Sequence, residues 1–179
     1  MAIRDMQPVI GSVDDAVVIA DSRRRPEAFH VLFHRHYERV RRYARARIGA
    51  AGEDVAAEVF AIAFAGRDRY DLTRPDAVPW LLGIATNLIR RQHREEQRRL
   101  RLLAALGGER PSEAGAEAVD PAVAAAIQRL HRRDRDVLLL FAVAELSYAE
   151  IARALGIAEG TVRSRLHRAR RILKEVMSQ

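Results

Sequence analysis

Five arginines, Arg163, Arg165, Arg168, Arg170 and Arg171, crowd into nine residues that contain no acid. A guanidinium is planar and permanently charged, and its fork of N–H donors matches a phosphate or the O6/N7 edge of guanine. Solvated helix faces usually mix charges, so a dense run of one sign points to a polyanion. Val162, Leu166, Ala169 and Leu173 recur through the same stretch at helical steps, and at 100° per residue they share one side. Ser164, His167, Arg168 and Arg171 fall on the opposite side, flanked by Arg163 and Arg165. The pattern is that of an amphipathic helix with a basic outer face.

The residues just before it could hold such a helix against DNA. Ser147 is a candidate cap for a first helix, and Glu150 three positions on completes a capping box. Ile151 and Leu155 sit four apart and face a core, while Ala152 is small where a second helix must pass close. Gly156 supplies the backbone freedom for a tight turn, and the second helix begins near Glu159. A short helix, a glycine turn and a basic second helix are the parts of a major-groove reader. Two amphipathic helices with solvated arginines would share the spacing; the acid-free charge run favours the DNA reading.

Composition narrows the rest. The 179 residues suffice for one medium domain or two small ones. The 31 Lys+Arg against 24 Asp+Glu give a net charge of +7, and every cation except Lys174 is arginine. A GC-rich coding bias would produce the same preference. With no cysteine, neither disulfides nor cysteine-ligated zinc can hold the fold, which fits a reducing compartment. No run of eighteen apolar residues exists, and the N-terminus lacks the basic-then-apolar pattern of a signal peptide. A soluble, cytoplasmic protein without direct membrane insertion is expected.

Nearly all periodicity along the chain is helical, so the expected fold is all-α: two small helical domains joined by a flexible linker, the C-terminal one a helix-turn-helix. Residues 1–13 are expected to be disordered. A short helix over Asp14 to Ser22 precedes a long one from Pro26 to Ile48, in which Phe29, Phe33, Tyr37, Val40 and Ala44 form the inward stripe. After a break at Gly49 to Gly52, a third helix covers Asp54 to Ala65, and Gly66 to Asp76 reads as a polar loop. Asp76 is a plausible cap for a helix reaching Arg99, with Trp80, Ile84 and Leu88 buried and Gly83, Asn87, Arg90 and Arg94 on a polar stripe. Domain bounds of 14–101 and 121–179 follow, with a linker over 102–120 rich in Gly, Ala and Glu. The second unit opens at Asp120-Pro121 and includes an apolar helix from Arg135 to Ala144. Residues 90–101 carry six arginines against two glutamates, and residues 141–179 carry seven cations against four acids. Two basic regions separated by an acidic connector suggest two contacts with one polyanion.

Two separate segments resemble one family, the extracytoplasmic-function sigma factors of bacterial RNA polymerase. The C-terminal match runs Arg133-Asp134-Arg135-Asp136-Val137-Leu138-Leu139-Leu140, then Leu146-Ser147-Tyr148-Ala149-Glu150-Ile151-Ala152, then Gly160-Thr161-Val162-Arg163-Ser164-Arg165-Leu166-His167-Arg168-Ala169-Arg170. It is similar to region 4, which reads the −35 promoter element. The N-terminal match, Glu53-Asp54-Val55-Ala56-Ala57-Glu58-Val59-Phe60 and Pro79-Trp80-Leu81-Leu82-Gly83-Ile84-Ala85-Thr86-Asn87-Leu88, is similar to region 2, which grips the polymerase clamp and opens the −10 element. The resemblance spans roughly residues 14 to 175.

What the resemblance implies is specific. Arg163, Ser164, His167 and Arg168 would meet base edges or nearby backbone of the −35 element, with Thr161 and Arg171 on phosphates. Asn87, Arg90 and Arg91 would lie at the −10 groove, and Arg94, Arg98 and Arg99 would follow the phosphates. The loop from Arg67 to Arg74 would receive a base flipped from the non-template strand, with Tyr70 available to stack on it or simply to pack. Binding to the unpaired strand would shift the melting equilibrium without ATP. The helix carrying Asp54, Glu58, Phe60 and Phe64 would bind core polymerase at its clamp helices, and the flap would be a second contact. Its second apolar side suits a partner, or both sides are buried internally. The family is commonly restrained by an anti-sigma factor, which becomes an expected partner. Three positions depart from the pattern. Ala57 stands where glutamine is frequent, Glu145 where glycine is frequent, and Ala158 where a capping oxygen or proline is common, which leaves the helix N–H groups open to a phosphate.

Two rival readings follow from the same residues. A dimeric helix-turn-helix regulator would bind a duplex operator without polymerase. A nucleic-acid enzyme lacks support, since there is no cysteine nucleophile, no P-loop and no ligand cluster at metal spacing. His30, His34 and Glu38 step by four, but His30, His34 and His36 read as exposed helix residues. No catalytic residue, metal, cofactor or small-molecule substrate is expected.

Overall fold

Hydrophobic periodicity at helical spacing leaves no alternative to a helical molecule, and the computed structural model, which describes residues 13–105 and 121–177, contains no strand among them. Helix α1 (Asp15–Ser22) is tied at its start rather than merely packed. The Asp15 backbone N–H donates to Pro75 O at 2.9 Å. Its buried carboxylate accepts from the Ala77 N–H at 2.9 Å and from Arg35 Nη1 at 3.0 Å, and lies 2.7 Å from His36 Nε2. Burial alone would raise the Asp15 carboxyl, but His36, the Ala77 N–H and Arg35 together hold it below its ordinary range. His36, expected exposed, is thus half-buried by a long-range partner that no local pattern reveals.

A 3₁₀ turn (Pro26–Phe29) feeds α2 (His30–Ile48). Phe29, Val40 and Ala44 are buried as expected, and Leu32 and Tyr43 join them on the inward side, while Phe33 is 37% exposed and Tyr37 half-buried; those two rings stack on each other and meet Phe60 of α3 at the edge of the core. Helix α3 (Gly52–Gly66) buries Val55, Ala56, Val59, Phe60 and Ala63 against it. The polar loop that follows contains another 3₁₀ turn, Arg67–Arg69.

Helix α4 (Val78–Ala105) continues beyond the expected end at Arg99, so residues 102–105 are helix rather than linker; residues 106–120 lie outside the described residues, as do 1–12. Asp76 Oδ1 accepts from the Val78 N–H at 2.8 Å, so the expected aspartate does tie down the helix start. The buried side is broader than the stripe of Trp80, Ile84 and Leu88. Leu81, Leu82, Ala85, Leu88 and Ile89 are inside, with Trp80 and Ile84 at the edge, because α4 packs on α2 and α3 along one side and on a C-terminal helix along another.

The second cluster comprises α5 (Pro121–Arg129), α6 (Arg132–Ala142), α7 (Tyr148–Leu155) and α8 (Glu159–Met177). Helix α6 starts three residues before Arg135 because the His131 side chain accepts from the Arg133 N–H at 3.3 Å and caps it. It ends at Ala142, two residues before Ala144, where the chain turns through Glu145 at φ 57. Val137, Leu138, Leu139 and Leu140 are all buried, which requires neighbours on more than one side. Helix α8 covers one side, and α2 of the first cluster touches another.

Candidate nucleic-acid interface

The helix-turn-helix is built from local signals that all agree. The Ser147 hydroxyl accepts from the Glu150 N–H, and the Glu150 carboxylate returns to the Ser147 N–H at 2.7 Å. The bond to the Ser147 hydroxyl, with that backbone N–H, draws the Glu150 carboxyl below its ordinary value. Gly156 ends α7 at φ 61 and ψ 41, a left-handed conformation that an L side chain adopts at a cost. Ile151, Val162, Leu166 and Ala169 then close the core between α7 and α8.

With that stripe buried, the opposite face of α8 is left in solvent. Arg163, Ser164, His167, Arg168 and Arg171 are exposed and, with Gly160, line one open concavity of about 570 Å³. Thr161, half-buried, lines a smaller one of about 370 Å³ beside it. All six residues expected on the −35 element therefore border two adjoining hollows on one face. Two features there escaped sequence reasoning. His131 and Arg133, from the start of α6, border the smaller hollow together with Arg165; the basic run at residues 131–133 was the available signal. Asp134, 1% exposed, accepts from Arg168 Nη1 at 3.2 and 3.3 Å through its two oxygens and fixes that guanidinium on the rim.

The residues expected on the −10 element are divided. Asn87, Arg91 and Arg94 are exposed along α4, and Arg91 pairs with Glu95 at 3.4 Å. Arg90 is not presented outward: its Nη2 lies 2.7 Å and its Nε 2.8 Å from Asp136 Oδ2, on α6. Arg67 is committed inward, donating to Phe64 O at 2.6 Å and Ser22 O at 3.3 Å, with its guanidinium 4.0 Å over the Phe64 ring. Tyr70 is buried at 7% exposure, its ring centroid 4.9 Å from that of Trp80 and its hydroxyl donated to Arg74 O at 2.8 Å. Burial raises that hydroxyl's pKa. In this conformation Tyr70 offers no open face to a base; its packing role is the one observed.

On α3, Asp54 and Glu58 are exposed, as are Ala57 and Ala61. Phe60, expected on a partner-facing side, is 5% exposed beneath Phe33, their centroids 5.0 Å apart. Phe64 is half-buried and meets Phe29 edge-on at 5.3 Å. The side of α3 that carries Phe60 and Phe64 is thus largely satisfied internally; on its other apolar side, with Val55 and Val59, Ile62 is 39% exposed, and Phe33 on α2 is 37% exposed.

His30 and His34 are exposed and meet each other edge-on at 5.7 Å. Asp15, His36 and Asp76 bring three ligand-type atoms within 4.8 Å of one another, but Arg35 occupies the same carboxylate, so the group is an internal ion-pair network. Among the described residues no helix is long and apolar enough to cross a membrane.

Comparison with known proteins gives each of the two helical clusters a match. The family model of sigma-70 region 2 matches residues 32–99, and that of sigma-70 region 4 matches residues 121–173. The RNA polymerase sigma factor CarQ of Myxococcus xanthus is 32% identical over 160 residues, covering 86% of this chain and 91% of CarQ. The ECF RNA polymerase sigma factor SigW of Bacillus subtilis is 33% identical over 138 residues, 69% of this chain and 73% of SigW. Among solved structures, that of CnrH in complex with the cytosolic domain of CnrY superposes with a TM-score of 0.68 at 25% identity, covering 92% of this chain and 97% of CnrH.

Proposed function

The chain belongs to the sigma-70 family as an extracytoplasmic-function sigma factor, a transcription initiation factor without catalytic activity of its own, and from that premise we propose how its residues divide the work. Residues 14–101 form the unit that engages core polymerase and the −10 element, and residues 121–179 the unit that reads the −35 element. The observation that carries this reading is the exposed, acid-free arginine face of α8, held by a capped helix-turn-helix.

On that face Arg163, Ser164, His167 and Arg168 read base edges, while Thr161 and Arg171 hold phosphates. His131 and Arg133 extend the phosphate track at the start of α6. Along α4, Asn87, Arg91 and Arg94 meet the −10 region and Arg90 joins them when released. Arg67 and Tyr70 act there only if their internal bonds are exchanged for contacts to an unstacked base. Captured single-stranded DNA offsets the few kcal/mol of unstacking and so selects sequence during melting.

For core polymerase, Asp54 and Glu58 supply charged contacts to the clamp helices, Ile62 and Phe33 the accessible apolar surface, and Phe60 and Phe64 a rigid support beneath. The −35 unit is the part expected against the flap. A further protein partner is proposed by analogy with CnrH, which was solved with the cytosolic domain of CnrY. An anti-sigma factor would use the same surfaces that polymerase and promoter need. Mixing the chain with core polymerase, followed by co-purification and run-off transcription, tests the assignment. Specific initiation at a defined start is the expected outcome, and loss of both core binding and initiation would refute it.

A further inference from the structure

Helix α3 and the 3₁₀ turn after it end on carbonyls that an ongoing helix would have satisfied. Arg23, just past the end of α1, answers three of them from 44 to 47 positions away. Its Nη2 donates to Asp68 O at 3.1 Å, to Arg67 O at 3.2 Å and to Tyr70 O at 3.4 Å. Its Nε lies 3.6 Å from the Asp68 carboxylate. The clasp is returned, since the neighbouring Ser22 O accepts from Arg67 Nε at 3.3 Å. At the far end of the loop, Pro75 O accepts from the Asp15 N–H at 2.9 Å. An eight-residue helix, α1, thus ties down both ends of the loop between α3 and α4. Between the ties Asp71, Leu72, Thr73 and Arg74 are exposed, in a turn closed by Asp71 Oδ1, which accepts from the Thr73 N–H at 3.0 Å.

We propose that Arg23 is the positioning residue of this loop: seated on the carbonyls of Arg67, Asp68 and Tyr70, its guanidinium fixes the backbone from which the Asp71–Arg74 turn captures an unstacked −10 base. The inference rests on the promoter reading above and adds to it a residue outside every DNA-facing element. A cation is favoured where carbonyl dipoles converge at the carboxyl end of a helix. A loop held in place before the base arrives loses less conformational freedom on capture. Arg67 and Tyr70 are turned inward, so the exposed turn is the part left to meet the base. Arg23 acts through the loop, because its side chain is 31% exposed and its donors face the carbonyls. In the run Arg23-Arg24-Arg25 the sequence does not single it out; Arg25 pairs with Asp21 instead, Nε to Oδ1 at 3.0 Å.

The test uses holoenzyme assembled from the full chain and core polymerase, with a fluorescent single strand of about a dozen nucleotides. The strand carries the non-template −10 sequence upstream of a start mapped by run-off transcription. It is used intact or with one abasic nucleotide at each position in turn. At one position the abasic strand should bind the unsubstituted holoenzyme about tenfold more weakly, the scale of one captured base. In Arg23→Gln that ratio should fall to about twofold or less, through weaker binding of the intact strand alone. Arg23→Lys keeps a cation for the carbonyls and should restore most of the ratio. Core affinity and circular dichroism should be the same for all three chains, since Asp15 still anchors the loop. An unchanged ratio in Arg23→Gln would overturn the positioning role, as would Arg23→Lys behaving like Arg23→Gln. Equal weakening on intact and abasic strands, with a salt slope lower by about one, would overturn it by marking a direct phosphate contact. If no position matters to the unsubstituted holoenzyme, base capture itself fails and the inference falls with it. A ratio that persists in Arg23→Gln leaves base capture standing and removes only the role of Arg23.

Discussion

Arg168 faces solvent over an open basic hollow, yet its guanidinium is tethered at 3.2 Å to Asp134, which is buried beneath it. The tether holds a long side chain in one geometry, so in the −35 contact proposed for Arg168 less rotamer freedom would be lost on binding. Replacing Arg168 by Ala should lower −35-dependent initiation by on the order of tenfold, the scale of one good base contact. Affinity for core polymerase, measured in parallel, should be unchanged. Equal loss of both would move Arg168 out of the promoter interface. Glu145 makes a different prediction. It holds φ 57, where a side chain costs about 1–2 kcal/mol, and its exposed pair with Arg42 at 3.5 Å returns little of that. Glu145→Gly should therefore leave stability equal or raise it by up to ~1 kcal/mol in chemical denaturation, which accounts for the glycine frequent at this position. The charges at 163–171 were legible from spacing alone. Asp134 and Asp136 were not, because their partners lie 34 and 46 positions away.

Elements whose signals are local were read closely. Helix α7 begins at Ser147 with its capping box and ends at Gly156, both within a stretch of ten residues. Ser147→Ala should cost about 1 kcal/mol of stability, readable as a lowered denaturation midpoint. On α2 the stripe held at Phe29, Val40 and Ala44 but missed Leu32 and Tyr43, and the inward stripe of α4 was drawn too narrow because its neighbours come from both clusters. Acid should weaken two joints together. Asp15 and Glu150 both have folded-state pKa values below their ordinary 3.8 and 4.5. A depressed carboxyl contributes stability that is fully present above its unfolded value and is lost as pH falls through the folded one. Thermal unfolding should accordingly shift to lower temperature as pH drops below about 4.5. Asp15→Asn, less stable at neutral pH, should show a shallower dependence; a slope identical to the parent would contradict the role given to Asp15.

At the scale of the whole molecule, the order of two helical clusters was legible from helical periodicity and the basic segments, although α4 runs on to Ala105, past the expected boundary at 101. Their mutual packing was not legible. It depends on Arg39, Arg42, Arg47 and Arg90, which as a sequence pattern look like any solvated arginine-rich face. Of these, Arg90 alone is also assigned to the promoter in the function proposed above, so it packs the chain on itself with a side chain that the proposal needs for DNA. The most direct measurement of the central claim is transcription by core polymerase supplemented with this chain, on templates carrying intact, −10-disrupted or −35-disrupted promoters. Initiation from a single start that requires both elements is the predicted result. Tight duplex binding by the chain alone, with no change in where core polymerase starts, would contradict it and favour a regulator that works without polymerase.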